Sequence, residues 1–267
     1  MTKKTMSLVA VLLLVLSLGL LPAAAETEEN TIYVNIANAG KLEAAMEPIA
    51  LADADGDGAL TVNDALILIH DAKYEGGAAA GFATADSQYG PMITKLWGVE
   101  NGGSYGYYVN NTMSMGLTDP VAAGDVVYAF VYADATGFSD AYSYFDKSQA
   151  EIADGEELTL TLSKADGFDA NYAPIYKPLE GAVITVDGIA TQFVTDTEGK
   201  AVIKLESGSH IVSATAGETL LVPAVCAVAV QAAAAETSPA RTIGIILGIV
   251  VVIALIVVWM LKGKKKN

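Results

Sequence analysis

The stretch Asp53-Ala54-Asp55-Gly56-Asp57-Gly58-Ala59-Leu60-Thr61-Val62-Asn63-Asp64 spaces its oxygen-bearing residues as a hard divalent cation requires. Such an ion takes about six to eight oxygen ligands, and a twelve-residue loop supplies them from positions 1, 3, 5, 7, 9 and 12. The carboxylates of Asp53, Asp55, Asp57 and Asp64 fall on positions 1, 3, 5 and 12. Ala59 offers its backbone carbonyl at position 7, and Thr61 offers a hydroxyl or a bridging water at 9. Gly58 stands at position 6, where the chain turns sharply, and Leu60 is the apolar anchor between ligands. An ordinary exposed acidic turn has no need of this spacing. The run therefore predicts a calcium loop with Asp53, Asp55, Asp57, Ala59, Thr61 and Asp64 as ligands.

Outward from the loop, residues 62–74 place Val62, Leu66 and Ile69 on one helical face, and Gly76-Gly77 stop the helix. His70 lies in that helix, and an isolated histidine of this kind reads as a surface or edge residue. Before the loop, residues 31–37 alternate with the period of a strand and end in the turn signal Asn38-Ala39-Gly40. After the helix, residues 92–99, 105–110 and 126–132 read as strands between glycine-rich turns. These elements predict an α+β domain, a small sheet with one helix, over residues 26–147. The loop resembles the EF-hand, and Asp64 in place of glutamate at its last position resembles dockerins, the calcium-dependent docking modules of cellulosomal proteins. Dockerins carry two such repeats; this chain carries one.

A second resemblance rests on Thr31-Ile32-Tyr33-Val34, Ile93-Thr94-Lys95-Leu96-Trp97, Tyr107-Tyr108-Val109-Asn110 and Gly124-Asp125-Val126-Val127. In this order they resemble a bacterial domain of unknown function related to the C-terminal domain of transcobalamin and intrinsic factor. That resemblance implies a ligand such as a corrinoid. Aromatic faces also suit glycans, so Trp97, Tyr105, Tyr107, Tyr108 and Asn110 are candidate ligand-binding residues. Tyrosine at alternating strand positions equally serves a core, and both readings stay open here.

Residues 148–230 carry short alternating segments at 157–162, 182–186, 201–205 and 210–214, with turns at Asp187-Gly188 and at 196–200. This pattern predicts an all-β sandwich. The run from Pro178 and the turn at 196–200 resemble the carboxypeptidase-regulatory and immunoglobulin-like spacer modules of bacterial surface proteins. With Cys226 the only cysteine, no internal disulfide is possible, and its apolar setting marks it as a buried small hydrophobe.

Lys3 and Lys4, the apolar run 6–21 and Ala23-Ala24-Ala25 read as a secretory signal peptide, residues 1–25. Residues 231–242 read as a linker, 243–261 as a transmembrane helix, and 262–267 as a cytoplasmic basic tail. This reading expects a single-pass cell-membrane protein with its bulk extracellular. Between residues 26 and 240, eight lysines stand against all 31 acidic residues, a formal charge of −23 that repels nucleic acid and attracts cations. Two histidines far apart, no nucleophile elbow and no phosphate loop leave no catalytic constellation, so no enzymatic role is expected. The sequence thus predicts a membrane-anchored, non-catalytic calcium-binding surface protein whose partner is a small molecule, a glycan or, through a dockerin-like face, another surface protein.

Overall fold

The computed structural model describes residues 30–170, 173–217 and 219–232. The chain opens with a hairpin, β1 (Thr31–Asn38) and β2 (Lys41–Ala50), then passes through the acidic loop into α1 (Val62–Lys73) and the short α2 (Gly77–Gly81). There follow a separate two-stranded ribbon of β3 (Ala83–Ser87) and β4 (Gly90–Lys95), the hairpin β5 (Tyr105–Val109) and β6 (Thr112–Met113), and β7 (Val126–Val131). The first sheet runs in the order β2-β1-β7-β5-β6, with β1 and β7 parallel at its centre.

Both faces of this sheet are covered. On one face Ile32, Val34, Ile36, Val127, Ala129 and Val131 pack with Val62, Ala65, Leu66 and Ile69 of α1. On the other, Ala37, Tyr108, Tyr128 and Phe130 meet Tyr142, Val222 and Val225 from the second half of the chain. Burial on both faces explains why β7 reads Val-Val-Tyr-Ala-Phe-Val without polar alternation. β2 is an edge strand, where Pro48 removes no sheet hydrogen bond. Its bulge at Met46, which has a positive φ of 48°, is closed by the buried Asn35, whose Oδ1 accepts from the Met46 N–H at 2.7 Å.

The second half forms two sheets around their own apolar core. Its strands are β8 (Ala141–Phe145), β9 (Gln149–Ala153), β10 (Glu157–Phe168), β11 (Pro174–Pro178), β12 (Val183–Val186), β13 (Ile189–Val194), β14 (Lys200–Lys204), β15 (Gly208–Thr215), β16 (Leu221–Val222) and β17 (Cys226–Gln231). One sheet has the order β11-β10-β8-β16, with β14 also on β10, and the other β13-β12-β15-β17-β9. Leu158, Leu160, Leu162, Ile184, Ile203 and Val212 fill the space between them. This is a β-sandwich. β8, counted by sequence with the first unit, pairs here with β10 and β16. Cys226 lies fully buried in the sandwich core, where burial pushes its thiol pKa up to about 12.

The sequence reading of an α+β domain, a sandwich and one transmembrane helix is overturned at the level of fold class. The described residues are mostly β, 52% strand against 8% helix, with two helices in all. The reason is that α1 is a single twelve-residue helix with one apolar stripe and α2 has only five residues, while β-branched and aromatic alternation carries the rest. Among the described residues no helix is long and apolar enough to cross a membrane, so single-pass anchoring has no described helix to rest on. The runs 1–25, 233–242, 243–261 and 262–267 lie outside the described residues.

The two halves meet through tyrosines. Tyr108 and Tyr142 stack in parallel with ring centroids 3.6 Å apart. Tyr128 Oη donates to the Pro223 carbonyl at 2.6 Å, and Tyr142 Oη to Asn111 Oδ1 at 2.9 Å. Tyr176 Oη donates to the Asn111 carbonyl at 3.1 Å. Burial pushes the pKa values of Tyr128 and Tyr142 well above the ordinary phenol value, so both remain donors. Tyr142→Ala is expected to cost about 3 kcal/mol or more and to split one cooperative denaturant transition into two. A single transition at an unchanged midpoint would contradict this packing.

Candidate metal centre

The acidic loop leaves β2 at Leu51 and enters α1 at Val62. Its tip, residues 52–59, is exposed, while Thr61 and Asp64 are buried. Carboxylate oxygens from Asp53, Asp55 and Asp57 lie within 4.8 Å of one another. Each carboxylate is oriented by the backbone it bends. Asp53 accepts from Gly56 N at 2.7 Å and Gly58 N at 2.9 Å, Asp55 from Asp57 N at 3.1 Å, and Asp57 from Ala59 N at 2.8 Å. Gly56 and Gly58 take positive φ values of 79° and 88°, the left-handed region in which glycine carries no steric cost.

An ionised carboxylate offers about four acceptor sites, and these bonds use at most two on any of the three groups. The remaining lone pairs suit a hard cation, with oxygen donors only and no thiolate or imidazole beside them. Three carboxylates this close repel one another by about 1 kcal/mol per pair even in water, a cost that a divalent ion would reverse. Asn63 approaches from the first turn of α1, donating from Nδ2 to Asp55 Oδ2 at 2.8 Å, and its Oδ1 is buried without a partner.

Asp64 does not join the cluster. Its Oδ1 accepts from Ala54 N at 2.7 Å and Asp55 N at 3.3 Å, and its Oδ2 from Thr61 N and Thr61 Oγ1 at 2.9 and 2.8 Å. Thr61 is the N-cap and Asp64 the third helical residue of a reciprocal capping box. The sequence pattern counts Asp64 as the twelfth ligand, but in the fold it fastens the two ends of the loop to each other. Burial pushes its pKa up, yet the hydrogen bonds from Thr61, Ala54 and Asp55 outweigh burial and hold the carboxyl below its ordinary value.

The remaining helix-start N–H groups are bound as well. Val62 N donates to the Asp119 carbonyl at 3.0 Å, Asn63 N to the Leu117 carbonyl at 2.9 Å and Ala65 N to the Thr61 carbonyl at 3.2 Å. Val121 N reaches back to the Leu60 carbonyl at 3.0 Å. The segment 117–121 is thus a clamp on the loop exit, supplied from more than fifty residues downstream. Sequence reasoning missed it, because backbone-to-backbone bonding leaves no residue signature.

The candidate ligand residues do not form one face. Tyr105 and Tyr107 pack towards α1 and Tyr108 towards the sandwich, as strand alternation dictates. Tyr105 Oη donates within the turn to the carbonyls of Thr94 and Val99, at 2.8 and 2.9 Å. Trp97 sits against His70 and Tyr74, and Asn110 closes a turn by bonding Asp125 and Val126 N. His70, expected at a surface or edge, is fully buried. His210 instead bonds the Asp187 carboxylate at 2.8 Å and the Glu206 carbonyl at 3.0 Å.

No protein-family model matches the chain, and no curated protein does. Among solved structures, the fibronectin(III)-like modules of Clostridium thermocellum CbhA are 14% identical, over 58% of this chain and 78% of that one, with a TM-score of 0.28. The N-terminal Ig1-2 module of the Drosophila receptor protein tyrosine phosphatase DLAR is 10% identical, over 60% and 82%, with a TM-score of 0.23. Similarity at this level carries no argument; the sandwich rests on the strand pairing of this chain itself.

Because Asp64 serves the fold, Asp64→Ala is expected to destabilise the ion-free protein by about 1–2 kcal/mol, the range of a lost helix cap, whereas Asp57→Ala changes its stability little. The depressed Asp64 pKa adds stability that is present above the ordinary value of 3.8 and is lost as pH falls through the folded-state value. Denaturant midpoints measured from pH 6 down to pH 2 should therefore converge for wild type and Asp64→Ala; a constant gap would contradict this role.

Proposed function

We propose that the chain is a non-catalytic β module stabilised by calcium, with the ion held by Asp53, Asp55 and Asp57. The observation that carries this reading is the convergence of the three carboxylates on a loop whose backbone already holds them in place. The Ala59 carbonyl and water complete the oxygen shell in this reading. Asp64 acts behind it, passing the loop's geometry into α1 through the Ala54, Asp55 and Thr61 N–H groups. The role of the ion is to cancel the repulsion at the tip and fix the entry to the helix.

The finer resemblances fare unequally beside the geometry. Docking through a dockerin-like helix is disfavoured, because Val62, Leu66 and Ile69, the apolar stripe such a face would present, are spent on the sheet. The transcobalamin-like motifs 107–110 and 124–127 become neighbours, β5 paired with β7. That adjacency supports a shared sheet arrangement. Corrinoid or glycan binding through Trp97, Tyr105, Tyr107, Tyr108 and Asn110 would need a common face, but Trp97, Tyr105 and Tyr107 pack with the α1 core and Tyr108 with the tyrosine layer.

Adding calcium at a hundred times its dissociation constant should stabilise the protein by about 2.7 kcal/mol, and a chelator should reverse the gain in melting temperature. Asp53→Asn combined with Asp57→Asn should abolish the calcium response while leaving the ion-free midpoint nearly unchanged. A calcium-independent melting temperature in the wild type overturns the proposal.

A further inference from the structure

His70 sits on α1 with no exposed surface. Its Nδ1 lies 2.6 Å from the Leu66 carbonyl, one turn back in the same helix, and its Nε2 accepts from the Trp97 N–H at 3.0 Å. A carbonyl can only accept and a backbone N–H can only donate. The two contacts therefore fix the neutral tautomer with its proton on Nδ1. The ring is stacked on Phe82, centroids 5.2 Å apart, and lies 5.1 Å from Trp97 and 6.0 Å from Tyr74. Packing is tight enough that a Cβ at Gly81 would come within 2.5 Å of Tyr74 and 2.8 Å of His70.

Among the described residues the one acceptor bonded to the ring is the Leu66 carbonyl, already taken by Nδ1, and none stands at Nε2. On α1, Asp71 acts on the ring only through its charge, and its Oδ1 is bound by Ala78 N. α2 and Phe82 bring no ionisable side chain. The segment after α2 brings Lys95 and Glu100, which pair with each other at 3.1 Å, and β2 brings Glu47, which pairs with Lys73. A proton added at Nε2 would set one N–H against another across 3.0 Å, and the turn at 96–99 would have to give way.

We propose that His70 is an acid-sensitive latch, whose protonation at Nε2 releases the Trp97 turn from the C-terminal half of α1 while the capping box keeps the other half in place. Burial lowers the pKa of His70 from its ordinary 6.5, against the opposing pull of the Leu66 carbonyl and Asp71. The sign follows: the latch's stabilisation is whole above about pH 6.5 and is lost as pH falls through the lowered folded-state value.

Trp97 is the natural reporter. In the full chain carrying Trp259→Phe, which leaves Trp97 as the only tryptophan, indole emission should shift in a one-proton step below pH 6.5 while far-ultraviolet dichroism stays constant. His70→Gln should remove the step. Emission that stays flat from pH 8 to pH 4, or a step that survives in His70→Gln, overturns the latch. If His70→Gln fails to fold, nuclear magnetic resonance of the native chain decides. The His70 Cε1–H and Trp97 amide signals should then titrate with one shared midpoint, and separate midpoints overturn the proposal.

Discussion

The structure depends on one sheet being buried on both faces. Because β1 and β7 run parallel at the centre of the β2-β1-β7-β5-β6 sheet, each needs an apolar partner above and below. Helix α1 supplies one cover and the tyrosine layer at the sandwich supplies the other. Removing the second half would expose Phe130 and Tyr128, and removing the first would expose Tyr142 and Val222, all of them almost wholly buried. The two cores are therefore coupled through the Tyr108–Tyr142 stack and its flanking hydrogen bonds.

Helix α1 is held at both ends by groups distant in sequence. At its start, Asp64 and Thr61 close the capping box, and the carbonyls of Leu117 and Asp119 take up helix N–H groups. Near its end, His70 receives the Trp97 N–H across 27 residues. The acidic loop hangs between the edge strand β2 and this doubly fastened helix. Its exposed tip is tied to the core through the buried Asp64, which bonds Ala54 N on the loop and Thr61 N at the helix start.

Strand alternation explains why the aromatic residues divide between two cores. Tyr105, Tyr107 and Tyr108 crowd together along the chain, but successive strand residues face opposite ways, so neighbours in sequence serve different cores. Asn110 and Asn111 take positive φ values of 49° and 63° in the turn that follows. Their side chains are used there, one on Asp125 and the other on Tyr142. A site inferred from aromatic density alone had no means of telling a shared face from two opposed ones.

By itself the sequence determined what depends on local spacing. The carboxylate cluster at 53, 55 and 57 was legible because the three residues recur at every second position of one short loop, and α1 because its apolar stripe repeats with the turn of a helix. The alternation of residues 157–162 and 201–205 marked strands of the sandwich, and the apolar setting of Cys226 its burial. Tertiary structure alone decided what depends on partners far along the chain. It made Asp64 a fastener of the loop's two ends, since the fold brings Ala54 N and the Thr61 hydroxyl against its oxygens. It made β2 a strand despite its helix-forming Ala, Met and Glu residues, because β1 offered an edge to pair with. It buried His70, because a lone imidazole can stay inside when one nitrogen finds a donor and the other an acceptor, and only the fold brings Trp97 and Leu66 to its two sides.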